Sequence, residues 1–222
     1  MTNSNKYIML NNIYKSYPIH HGRHERLILD SISFTVSPGD KLGIMGPNGA
    51  GKSTLIQLVS GALLPDKGTI DRKMSISWPL AFGGAFQGSL TGRDNAKLLA
   101  RVYNTNVEKT VEFVESFGEF GIYFDEPVKS YSTGMNSRLG FALSMAIDFD
   151  CFLVDEVISV GDQRFNKKCE AELEQRSNKS MIMVSHHVDL IRNNCTKAAF
   201  LHQGKLHIFE QVEDAIYAYE HL

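Results

Sequence analysis

The sequence has little cysteine, no long apolar run and no excess of one charge. Its three cysteines, Cys151, Cys169 and Cys195, form an odd set without CxxC spacing. That is not the pattern of a disulfide framework, and it reads as reduced, buried thiols of a cytosolic protein. No stretch approaches the roughly 18 apolar residues needed to span a bilayer. The N-terminal Met1-Thr2-Asn3-Ser4-Asn5-Lys6 lacks the apolar core of a secretory signal. The expectation is a cytoplasmic chain that relies on another chain to span any membrane it serves. Lysine and arginine total 23 against 25 aspartates and glutamates, a net charge of −2. That balance makes no electrostatic case for nucleic acid or an anionic membrane as partner. There is no repeat, low-complexity tract or linker.

What is present is an ordinary globular composition. The 222 residues are 43% hydrophobic and 22% charged, enough to bury a substantial core. Leu27-Ile28-Leu29 and Ile32-Ser33-Phe34-Thr35-Val36 read as strand, followed by a turn at Ser37-Pro38-Gly39-Asp40. Lys41–Met45 is a short apolar strand, and a helix is expected from Ser53 to about Ser60, closed by Gly61 and Pro65. Gly68–Ile70 and Ser75–Trp78 resume strand. From about Leu90 to Asp148 the chain is helical in character. Leu98, Leu99, Val102 and Tyr103 fit one helical face, and Val111, Val114 and Phe117 another. Strands return at Cys151–Val154, Met181–Val184, Ala198–His202 and Leu206–Phe209, with a last helix near Val212–Tyr219. The economical description is an α/β phosphate-loop core interrupted by a helical insert.

The strand Lys41–Met45 runs into Gly46-Pro47-Asn48-Gly49-Ala50-Gly51-Lys52-Ser53-Thr54, a phosphate-binding P-loop in the strand–loop–helix context the motif requires. The glycines allow close backbone approach, and successive N–H groups at the helix N-terminus cradle phosphate. Lys52 is expected to reach the β- and γ-phosphate oxygens, and the Ser53 hydroxyl to ligand Mg²⁺. A second apolar strand ends in Asp155-Glu156, at the sheet edge where open α/β folds place ligands. There Asp155 suits orientation of Mg²⁺ and Glu156 suits polarisation of an attacking water, a contribution of roughly 100- to 10,000-fold. A third strand ends at Ser185-His186, so His186 can hold the γ-phosphate and the water in line. Adjacent His187 points elsewhere.

The run His20-His21-Gly22-Arg23-His24 has no acidic or cysteine ligand at compatible spacing, so it is not taken as a metal site. Tyr17, just before it, is expected to stack on adenine. Tyr131-Ser132-Thr133-Gly134-Met135 opens another helix. Alone, Ser132 would be only a helix N-cap. In a chain that already has a P-loop, Ser132 and the Gly134 amide instead suit the γ-phosphate of ATP held by a second copy.

With these motifs on one chain, the sequence resembles the nucleotide-binding subunits of ABC transporters over nearly its whole length. It more closely resembles the capsular polysaccharide exporter ATPases of Gram-negative bacteria. The finer match lies in Ser77-Trp78-Pro79, Gly84–Asn95, Lys129–Met135 and Asp155-Glu156-Val157-Ile158-Ser159-Val160-Gly161-Asp162. Most relatives in the wider family have Leu-Ser-Gly-Gly-Gln where this chain has Tyr131-Ser132-Thr133-Gly134-Met135, and proline at the position of Val157. Those departures agree with the polysaccharide-export branch.

The resemblance implies a P-loop NTPase core with an N-terminal antiparallel β subdomain, and a helical subdomain at about 88–148 inserted in it, all within one domain over 1–222. It implies ATP and Mg²⁺ as cofactors, with Gln87 linking γ-phosphate and Mg²⁺ to a membrane partner and Asp162 meeting the opposite protomer's P-loop. It implies a head-to-tail homodimer at the cytoplasmic face of the inner membrane. Its partners would be an integral membrane permease and further envelope export proteins, and its cargo a lipid-linked polysaccharide. The chain ends at Leu222 without the sugar-binding domain of some O-antigen exporters, which favours capsule over O-antigen, with teichoic acid below both. A soluble ABC ATPase acting on ribosomes or nucleic acid, or a P-loop kinase, is the contrasting reading.

Overall fold

The computed structural model describes residues 6–19, 24–80, 86–155 and 163–222. They form two compact units, one from the described residues of 1–77, 149–157 and 178–222, the other from those of 78–148 and 158–177.

The first unit holds two sheets. In one, β1 (Ile8–Ile19) lies between β2 (His24–Val36) and β4 (Lys67–Arg72), antiparallel to both. The other has the order β5 (Ile76–Pro79), β6 (Cys151–Asp155), β7 (Ser180–Ser185), β3 (Lys41–Met45), β8 (Lys197–His202) and β9 (Lys205–Phe209). Strands β6, β7, β3 and β8 run parallel, and β9 closes the edge antiparallel to β8. The parallel strands are near-continuous apolar runs, as strands buried on both faces must be.

Register places the strand ends. Met45 pairs with Ser185, and Asp155 with Val184, so the carboxyl ends of β3, β7 and β6 lie side by side in that order. At the edge, the fully buried Ser77 hydroxyl accepts the Leu153 amide at 2.9 Å. Part of the Ser77-Trp78-Pro79 motif therefore has a structural duty.

Helix α1 (Lys52–Ser60) buries Leu55, Ile56, Leu58 and Val59 in one apolar core with Ile8, Leu10, Leu29 and Ile32 of the antiparallel sheet and Ile44, Leu153 and Val184 of the parallel one. Gly61 ends the helix in the left-handed conformation, and the Arg72 guanidinium donates to the carbonyls of Leu58 and Val59 at its C-terminus. The two predicted strands 27–29 and 32–36 are one strand, β2. Ser31 takes a positive φ of 57° between them, and Asp30 donates to the Gly204 carbonyl at 2.8 Å.

The second unit holds α2 (Gly92–Val102), α3 (Val107–Gly118), α4 (Thr133–Ala146) and α5 (Gln163–Glu174). Val114 and Phe117 of α3 are buried, as their spacing predicts. The predicted α2 face is not the buried one. Leu99 is buried, but Leu98, Val102 and Tyr103 are 43%, 65% and 40% exposed. The inward stripe is Asn95, Ala96, Leu99 and Ala100, because small side chains bring α2 close to α3. Periodicity weighted by side-chain size selects the wrong face in such a contact.

The Thr91–Asn95 motif is largely structural. Thr91 Oγ1 caps α2 by accepting from the Asp94 amide. Arg93 lies over the Phe124 ring, 4.8 Å from its centroid, and bridges Glu115 and Asp125. Asn95 is 1% exposed and closes on the Gln87 backbone, accepting from its amide at 2.7 Å and donating to its carbonyl at 3.0 Å.

Tyr131 anchors the turn before α4. It packs on Phe120 at 5.7 Å and donates its hydroxyl to the Tyr123 carbonyl at 2.7 Å. Burial pushes that hydroxyl up to about 12. A Cβ at Gly92 would stand 2.5 Å from it, so Gly92 makes room for the tyrosine. Tyr131→Phe keeps the ring and removes the hydrogen bond, with an expected loss of about 1 kcal/mol and a melting temperature lowered by about 2–4 °C. Scanning calorimetry decides this, and an unchanged transition would show that the hydroxyl contributes nothing.

Candidate functional site

The P-loop joins the end of β3 to α1 and lines a cleft of about 630 Å³. Two glycines there have no substitute. A Cβ at Gly46 would lie 2.8 Å from the Leu201 carbonyl oxygen. Gly51 caps α1 at φ 108°, with Ile28 Cγ2 only 2.8 Å from where its Cβ would stand. The backbone thus passes directly under β2. Gly51 offers no side-chain cap, and the first turn of α1 holds no acidic residue. The start of α1 therefore has neither a side-chain cap nor a first-turn carboxylate to meet its amide donors and the positive end of its dipole, an arrangement that suits an anion.

Lys52 is 7% exposed, and its ammonium donates to the carbonyls of Gly46 at 2.7 Å and Pro47 at 3.1 Å. An ammonium has three protons, so this buried cation retains a donor for phosphate while it ties the loop together. Asn48, Gly49, Gly51, Ser53 and Thr54 line the same cleft, as do Tyr17 and Asp155. Pro47 and Ala50 contribute the turn within the loop, where the Ala50 amide donates to the Pro47 carbonyl at 3.2 Å. Ile28 also lines the cleft. Sequence reasoning missed it, because within a run read as strand nothing distinguishes a cleft-lining isoleucine from a core one.

Tyr17 lies near the end of β1 and is 37% exposed, with the Lys15 ammonium 5.8 Å from its ring centroid. That exposure fits a stacking surface rather than a core aromatic. His186 follows β7 directly, between the ends of β3 and β6 in the strand order. It is exposed and stands outside the cleft lining, with its ring 3.9 Å from that of His187.

Glu156 and Asp162 lie outside the described residues, as do His20, His21, Gly22 and Arg23. Among the described residues no group of three His, Cys, Asp or Glu is placed to hold a metal. Burial pushes the thiols of Cys151, Cys169 and Cys195 each up to about 12, so none is a thiolate at neutral pH.

In the second unit Ser132 is the N-cap of α4, and its Oγ accepts from the Met135 amide at 3.2 Å. A hydroxyl that accepts here keeps its own proton to donate. Ser132 is exposed, and a Cβ at Gly134 would meet only Ser132 Oγ, at 4.0 Å. The turn is open to an approaching anion. Gln87 belongs to this unit too, exposed and pinned by Asn95.

Residues 29–159 match the family model described as ABC transporter. The chain belongs to the ABC transporter family. It is an ATP-binding ATPase of that family, with the expected cassette fold. It is 52% identical over 198 residues to the capsule polysaccharide export ATP-binding protein CtrD of Neisseria meningitidis, covering 89% of this chain and 92% of that protein. It is 49% identical to the ATP-binding protein BexA of Haemophilus influenzae, covering 96% and 97%. A solved ATP-binding subunit of an ABC transporter superposes with a TM-score of 0.80 at 16% identity, over 97% of this chain and 94% of that one.

If Tyr17 carries the base, Tyr17→Ala weakens ATP binding about 5- to 100-fold, the range for one base stacked on an aromatic ring. Tyr17→Phe leaves it within about twofold, since the ring face and not the hydroxyl is used. Fluorescent-nucleotide titration measures both, and equal losses in the two variants would refute stacking.

Proposed function

We propose that this chain is the ATP-hydrolysing subunit of an exporter of capsular polysaccharide, working as a head-to-tail dimer beneath a separate membrane subunit. The observation that supports the dimer is that one chain has two helix N-termini suited to phosphate. The P-loop cleft is built on the α1 N-terminus, and the Ser132–Gly134 turn opens at the α4 N-terminus. One ATP occupies the first, and the second suits the γ-phosphate held by another copy. The relatives at 49–52% identity support the cargo, through the one named for capsule polysaccharide export.

In this reading the loop amides and Lys52 neutralise the phosphate charge, and Tyr17 holds the base. Ser53 and Asp155 line one cleft, and a hydroxyl and a carboxylate are the hard oxygen donors that suit Mg²⁺. Mg²⁺, when bound, supplies charge stabilisation for the transferring phosphoryl group. Glu156 polarises the attacking water, His186 keeps it in line, Gln87 couples the site to the membrane subunit, and Asp162 meets the opposite P-loop. Nucleotide binding draws two copies together and hydrolysis releases them. No helix among the described residues is long and apolar enough to cross a membrane. The chain then works at the cytoplasmic face, with the permease and further envelope proteins carrying a lipid-linked polymer outward.

Glu156→Gln is expected to bind ATP, turn over at least 100-fold more slowly and run as a dimer in ATP by light scattering. Hydrolysis at the wild-type rate would remove Glu156 from the mechanism. Deleting the gene in the source organism is expected to leave surface glycan trapped in the cytoplasm. An intact surface layer would exclude the export reading.

A further inference from the structure

The turn after β7 carries His186, and the residue before it is a buried hydroxyl that accepts a backbone amide. Ser185 is fully buried, ends β7 and pairs with Met45, the last residue before the P-loop. Its Oγ accepts from the His187 amide at 2.9 Å, closing a two-residue side-chain turn around His186. Beyond it, His187 is the extended cap of α6 (Val188–Asn194) and makes no side-chain cap hydrogen bond of its own. The buried Ile191 holds that helix against β3, because Gly43 leaves room for it. A Cβ there would lie 2.5 Å from Ile191 Cγ2.

Both ends of the segment are thus anchored to the strand that feeds the P-loop, one by the β7–β3 ladder and the other by α6 on Gly43. Between those anchors the Ser185 hydroxyl meets the backbone at the His187 amide. We propose that Ser185 is a positioning residue, whose capture of the His187 amide fixes His186 at the sheet edge between the P-loop and Asp155. This rests on the reading of His186 as the group that holds the attacking water. Displacing an aligned group by about 1 Å can cost about 100-fold, so a loosened turn has room to be felt in turnover while leaving nucleotide affinity intact.

The test compares Ser185→Ala, Ser185→Thr, His186→Ala and the double variant Ser185→Ala/His186→Ala in the full chain, by steady-state ATP hydrolysis and amide exchange. Ser185→Ala should lower kcat about 10-fold with KM for ATP within about twofold, a partial misplacement on that scale, and exchange at His187 should quicken. Threonine, which keeps the hydroxyl, should restore both, and the double variant should be no slower than His186→Ala. Wild-type kcat in Ser185→Ala overturns the proposal. The same fold loss on the His186→Ala background also overturns it, because Ser185 would then act by another route. Unchanged His187 exchange overturns it too, because the hydrogen bond would then not be what holds the turn. Wild-type turnover in His186→Ala removes the reading of His186 itself, and is distinguished by that single variant. Should alanine leave the strand end unfolded, Ser185→Cys keeps the volume with a weaker acceptor and gives the same comparison.

Discussion

The pairing of β7 with β3 on one side and β6 on the other is the constraint on which the site depends. It aligns Met45 with Ser185 and Val184 with Asp155. The P-loop, His186 and the acidic strand end, far apart in the chain, therefore leave one sheet edge side by side. A slip of one residue would turn every buried side chain to the other face. The apolar content of these strands, buried on both sides, keeps the sheet in the protein interior, and their first polar residues mark the edge.

Around that edge, chemistry follows from what packs close and what is left unpaired. Gly46 and Gly51 let the loop pass beneath Leu201 and Ile28, where any side chain would collide. The start of α1 has no side-chain cap for its amide donors, and the buried Lys52 lines the cleft. In the second unit, Tyr131, Gly92, Arg93 and Asn95 hold the turn and the Gln87 segment by packing and hydrogen bonds. Much of what makes the Thr91–Asn95 motif recognisable is thus scaffolding for its neighbours.

The legible part of the sequence was the part with strong local rules. P-loop spacing, an apolar run ending in acid and glycine-closed helices each carry a signal within ten residues, and the corresponding strands and helices stand close to where those signals place them. The α2 face was misread because its packing uses small residues and a buried amide, for which hydrophobic periodicity has no weight. Ile28 was passed over since a residue's part in a cleft depends on a strand from elsewhere in the chain. Ser185 carried no signal, because a serine at a strand end is common and its task appears only with the hydrogen bond to His187.

By itself the sequence determined the phosphate-binding loop, the carboxylate at the strand end and the family to which the chain belongs, since these rest on residue types at short fixed spacings. Only the tertiary structure decided which strand ends meet, which helix face is buried and which hydroxyl holds which turn. Those depend on long-range register and on volume left by glycines, and neither is written in any local stretch of the chain.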